Sequence, residues 1–127
     1  MSDYTKVNIK ELDNSAQRFG LEGFEARFAR KAMGLEQFGF SYQKFAPSWR
    51  QPFGHVHSEQ EEVYLVLSGS GRMKIDDEIV ELAPWDAVRI PGGVTRQLES
   101  GAEGLEILAL GGNPTGDAEM IEGWWTG

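Results

Sequence analysis

His55 and His57 are the only two histidines in the chain. One residue, Val56, separates them, and Glu62 follows His57 by five positions. On an extended strand successive side chains point to opposite faces, so the two imidazoles share a face, their Cα atoms roughly 6.5–7 Å apart. Rings placed that way can converge on one ion. If the chain turns over residues 58–61 and returns as a neighbouring strand, Glu62 faces the same interior. Tyr64 and Val66 have the parity of Glu62 and are expected to line that interior with it.

The elements that must hold these residues are short strands. Phe38, Phe40 and Tyr42 alternate with Gly39, Ser41 and Gln43, a strand pattern over residues 37–45. Pro47 and Pro52 bracket a loop. The histidine strand follows, then a strand over 62–67, with a turn or bulge at Gly69-Ser70-Gly71. Residues 72–75 and 79–82 pair as a hairpin across Asp76-Asp77-Glu78. Further strands are expected at 86–90, 95–99 and 105–110, with Pro91-Gly92-Gly93 as a turn. Residues 22–33 fit strand or helix spacing, and strand is preferred because its neighbours read that way. Residues 1–20 form a polar N-terminal arm, 21–111 a barrel domain, and 112–127 an irregular tail whose Trp124 and Trp125 pack on the barrel or on a second subunit. Evenly spaced short strands with turn signals between them describe an all-β, antiparallel small barrel or jelly roll.

Composition bounds the function. With 127 residues, 40% hydrophobic and 25% charged, the chain is one soluble globular domain. A net charge of −8 disfavours nucleic acid and anionic membrane surfaces as partners. The absence of cysteine excludes disulfides, thiolate nucleophiles and sulfur-built metal sites. No stretch approaches membrane-spanning length, and no apolar signal segment opens the sequence, so a cytoplasmic location is the default. No glycine-rich phosphate loop opens a helix, and both histidines are already committed, which leaves no serine–histidine–acid arrangement.

These residues resemble the cupin family. Its first motif is a glycine, five residues, His-x-His, three or four residues, Glu, six residues and Gly. His55-Val56-His57, Glu62 and Gly69 fit it, while Trp49 stands where the leading glycine belongs. In the second motif Pro91-Gly92-Gly93 fits, but Trp85 replaces a glycine, Arg96 the histidine and Ser100 the asparagine. The resemblance implies an antiparallel β-barrel (a double-stranded β-helix), a homodimer, and one divalent metal held by three histidines and a glutamate over a small-molecule pocket. Trp49 and Trp85 are expected to pack at their loop positions.

Arg96 departs most from that pattern. A guanidinium has five donors, no acceptor and a permanent charge, so it cannot ligate a metal. Strand parity still aims it inward. Three readings follow. In one, His55, His57 and Glu62 hold a divalent transition metal (Fe, Mn, Ni or Zn) in a three-ligand site with open positions. Arg96 and Tyr64 then bind an anionic substrate, in an enzyme of the oxygenase or isomerase kind. In the second, no metal binds: Arg96 pairs with Glu62, and the barrel is either metal-free and catalytic, with the imidazoles as acid–base groups, or a non-catalytic module for a sugar or small organic acid. In the third, the histidines and Glu62 are satisfied polar residues of a strand pair and carry no function.

Overall fold

The computed structural model describes residues 2–127. Eight strands, β1 (Phe24–Phe28), β2 (Phe38–Phe45), β3 (Phe53–His57), β4 (Glu62–Ile75), β5 (Glu78–Leu82), β6 (Ala87–Ile90), β7 (Arg96–Gly112) and β8 (Ala118–Glu122), form one antiparallel sheet. The sheet curls into a jelly roll. One path runs β1-β2-β7-β3-β8, and β4 pairs with β5, β6 and β7.

The two long strands, β4 and β7, are the spine. They pair from Glu62↔Gly111 to Ile75↔Arg96, with register irregularities between Val66 and Ser68 and between Gly69 and Gly71. Sequence reading placed separate strands at 62–67 and 72–75, and at 95–99 and 105–110. Each couple is one strand, bent where glycines relax the ladder, because a bulge bends a strand without ending it. Gly69 makes the bend: its φ is +85°, and a Cβ there would lie 2.1 Å from the Gly104 carbonyl oxygen. Only glycine meets both demands.

The curl buries alternate side chains. Tyr64, Val66 and Met73 of β4 join Leu98, Leu105 and Ile107 of β7 and Phe45 of β2 in the core. Trp49 stacks on Phe24, with ring centroids 5.2 Å apart, and meets Phe45 edge-on, so it packs as expected. Trp85 does not: it is 73% exposed at φ +73°, on the tight turn between β5 and β6.

Two further segments differ from expectation, residues 22–33 and residues 112–127. The segment 22–33 is strand only to Phe28. A single helical turn, α1 (Arg30–Met33), follows, closed by Gly34 in the left-handed conformation. The polar arm contains two 3₁₀ turns, Ile9–Glu11 and Ser15–Phe19, and Asn14 Oδ1 ties it to β1 by accepting from the Ala26 amide. Residues 112–127, expected to be irregular, contain β8, which pairs with β3 from Phe53↔Glu122 to His57↔Ala118. Its strand state comes from the free edge of β3, whose amides and carbonyls need partners.

Both C-terminal tryptophans pack on the roll's own wall. Trp125 is buried, with the Arg50 and Arg72 guanidinium carbons 4.1 and 5.2 Å from its ring centre. Lys74 Nζ stands 4.3 Å from the ring centre of Trp124. Arg72 and Lys74 are therefore half-buried. No helix among the described residues is long and apolar enough to cross a membrane.

Candidate metal and ligand site

β3, β4 and β7 bring His55, His57, Glu62, Tyr64 and Arg96 to one place. His55 and Arg96 are direct cross-strand partners. Glu62 is not beside Arg96 in the sheet, since it pairs with Gly111 and Ile90. The two meet across the interior because the sheet curls.

The meeting point is a single atom, Glu62 Oε1. It accepts a hydrogen bond from Tyr64 Oη at 2.9 Å and an ion-paired hydrogen bond from Arg96 Nη2. His55 Nε2 lies 3.5 Å from it and His57 Nε2 3.3 Å. Arg96 is wholly buried. Its Nε donates to Tyr64 Oη at 3.1 Å and its Nη1 to the Val94 carbonyl at 3.1 Å, so all three of its nitrogens bond within the protein.

Electrostatics follow from these contacts. Burial pushes the Glu62 carboxyl up, but the His55 hydrogen bond and the Arg96 charge outweigh it and hold the group at about 2. Burial lowers His55 below its ordinary 6.5, and the Arg96 charge adds to that. Burial raises the Tyr64 phenol, reinforced by the Glu62 charge. At neutral pH the site holds a carboxylate, a neutral His55 imidazole, a phenol and a guanidinium.

One donor atom from each of His55, His57 and Glu62 lies within 4.8 Å of the other two. Ligands bound about 2.0–2.1 Å from a tetrahedral centre stand roughly 3.3 Å apart. The two nitrogen–oxygen separations, 3.5 and 3.3 Å, lie close to that value and are long even where they act as hydrogen bonds. The donor set fits a three-ligand metal centre with Arg96 beside it and no fourth protein ligand. Two ligands open onto a cavity of about 300 Å³, whose lining includes His57, Glu62, Gln60, Phe40, Ser41 and Thr115.

Sequence reasoning missed one residue here. Asp117, between β7 and β8, has Oδ1 2.8 Å from His57 Nδ1. The Gln60 and Glu59 amides hydrogen-bond its carboxylate and hold it well below the usual range. Nothing local marks Asp117 in the sequence; only the pairing of β8 with β3 brings it to the histidine.

The Cupin domain family profile matches residues 41–110, more than half of the chain. An uncharacterized protein of Methanocaldococcus jannaschii is 34% identical over 71 residues, covering 54% of this chain and 57% of its own. The chain thus matches little more than half the length of that curated relative. A cupin protein from Bacteroides fragilis superposes with a TM-score of 0.73 at 23% identity, covering 98% of this chain and 93% of its own. The polyketide cyclase RemF from Streptomyces resistomycificus superposes with a TM-score of 0.77 at 19% identity, over 96% of this chain and 87% of its own. The curled antiparallel roll, the histidine–glutamate hairpin and the matched profile together identify the chain as a member of the cupin family.

Proposed function

We propose that this cupin holds one divalent transition metal through His55, His57 and Glu62 and acts on an anionic small molecule in the adjoining cavity. The observation that carries the reading is the grouping of three donor atoms within 4.8 Å, two of them on residues that line the cavity. A bound ion supplies Lewis-acid chemistry, polarising a ligand oxygen. The chain supplies the rest. Glu62 is ionised and His55 neutral at working pH, which is the protonation state of ligands. Arg96 and Tyr64 act from behind Glu62 and fix its carboxylate. The Arg96 charge, shielded from solvent and close to the cavity, favours an anion by its field rather than by direct contact. Open positions beside three ligands suit an oxygenase or an isomerase. Structural neighbours such as the polyketide cyclase are named as enzymes, which is consistent with this use of the fold.

One observation favours a second reading, a metal-free binding module for a sugar or small organic acid. Glu62 Oε1 already accepts from Arg96 and Tyr64, so its charge has a partner without any ion. Elemental analysis of protein purified without chelators separates the two. Stoichiometric transition metal that is lost in His57→Ala supports the metal site. Metal-free protein that also refuses added Mn, Fe, Ni and Zn in calorimetric titration leaves the module. An enzyme further loses turnover, and keeps ligand binding, when His55 or His57 is replaced.

A further inference from the structure

We propose that Asp117 is the positioning residue of this site: its carboxylate fixes His57 as the Nδ1-protonated tautomer, so that Nε2 offers its lone pair beside Glu62. The consequence for metal affinity rests on the metal reading above; the tautomer does not.

The geometry leaves the Asp117 carboxylate little freedom. Oδ2 accepts from the Glu59 amide at 2.8 Å, the Gln60 amide at 2.9 Å and Ser58 Oγ at 3.3 Å. Oδ1 is left for His57 Nδ1 at 2.8 Å. Two of the Oδ2 partners are backbone N–H groups, which only donate, so the carboxylate cannot exchange its two oxygens at no cost. An ionised carboxylate only accepts, hence Nδ1 carries the proton. In a neutral imidazole the proton is then absent from Nε2.

That nitrogen stands 3.3 Å from Glu62 Oε1. A lone pair and a carboxylate oxygen at such a distance repel unless a cation lies between them, and a cation turns the repulsion into ligation. The opposite tautomer would instead set the Nδ1 lone pair against Asp117 at 2.8 Å. A ligand histidine whose other ring nitrogen donates to a carboxylate is the arrangement that orients metal-site imidazoles.

Backbone and Gln60 side-chain contacts beside this carboxylate fasten the cavity wall. Ser58 N donates to the Asp117 carbonyl at 3.4 Å, and Gln60 Nε2 donates to the carbonyls of Gly112 and Pro114 at 2.8 and 2.9 Å. The segment between β7 and β8, which includes the cavity residue Thr115, is therefore fastened to the loop that follows the histidines.

Asp117→Asn tests this sharply. The Asn oxygen takes over the backbone amides, and its NH₂ then faces His57 Nδ1, which must accept, so the proton moves to Nε2. The same substitution in an aspartate–histidine pair elsewhere preserves geometry and inverts the tautomer. Long-range ¹H–¹⁵N correlation spectra of labelled, metal-free protein at pH 8 read the tautomer directly, and two histidines make assignment simple. The expected result is Nδ1–H in the wild type and Nε2–H in Asp117→Asn, with Zn²⁺ affinity lower by about 10–100-fold. Ser58→Ala, which removes one Oδ2 partner and leaves the His57 bond, should keep the wild-type tautomer and affinity. Nε2–H in the wild type overturns the proposal without recourse to any variant, and so does an unchanged tautomer in Asp117→Asn. If the tautomer inverts and neither protein binds Zn²⁺, Asp117 keeps its role and the metal reading falls.

Discussion

Replacing Arg96 by methionine should destabilise the fold by about 3–5 kcal/mol at pH 7, the usual cost of stripping one partner from a buried ion pair. The structure supplies the scale. Arg96 is 0% and Glu62 15% exposed at the side chain, so the abandoned carboxylate recovers little hydration. In the wild type Glu62 is held at about 2 against an ordinary 4.5. At about 1.36 kcal/mol per pH unit, that difference of 2.5 corresponds to roughly 3 kcal/mol, shared between the His55 contact and the Arg96 pair. The sign follows from the depressed value. The folded state binds this proton less readily than the unfolded chain, so the stabilisation is complete above pH 4.5 and is lost as pH falls toward 2. Urea unfolding of chelator-treated protein, followed by tryptophan fluorescence from pH 7 to pH 3, measures both quantities. Arg96→Met should show a lower midpoint at pH 7 and a flatter acid slope. Adding Glu62→Gln should recover much of the loss, because the double variant leaves no orphaned charge. A variant within about 0.5 kcal/mol of the wild type at pH 7, or one with the same acid slope, refutes the argument.

Two further outcomes are expected. Tyr64→Phe removes the hydroxyl that donates to Glu62 and accepts from Arg96 Nε, leaving a buried donor unpaired; denaturant unfolding should show a loss of about 1–3 kcal/mol. Gly69→Ala puts a Cβ 2.1 Å from a backbone oxygen at a positive φ; thermal unfolding should reveal at least about 2 kcal/mol of destabilisation, or no folded protein.

Much of this molecule could be read from its sequence because strand parity has a short range. His55 and His57 share a face by spacing alone. Glu62 and Tyr64 follow by the same count one strand later, and Arg96 by its place after Pro91-Gly92-Gly93. The bends within β4 and β7 were harder. A glycine that interrupts an apolar run looks alike whether the ladder ends there or only slips by a residue. β8 carried no periodic signal: Ala118, Glu119, Met120 and Glu122 are all exposed, and its conformation is imposed by the edge of β3. Asp117 was unreadable for the same reason, since its partner lies 60 residues away. Trp85 shows the limit of a side-chain argument, because backbone geometry at a tight turn placed an indole in water.

Glu62 Oε1 is a hub on which two imidazoles, a phenol and a guanidinium depend. Residues wired through one atom do not vary independently. The free energies of single substitutions at 55, 57, 64 and 96 will not sum, and coupling terms of about 0.5–3 kcal/mol should appear in double-mutant cycles. Exchanging the guanidinium for the imidazole that the family pattern places at that position would therefore not restore a four-ligand centre by itself. Tyr64 would lose the donor to its oxygen, and Glu62 its counter-charge, in the same step. The network acts as a block, and changes to its chemistry require concerted substitution.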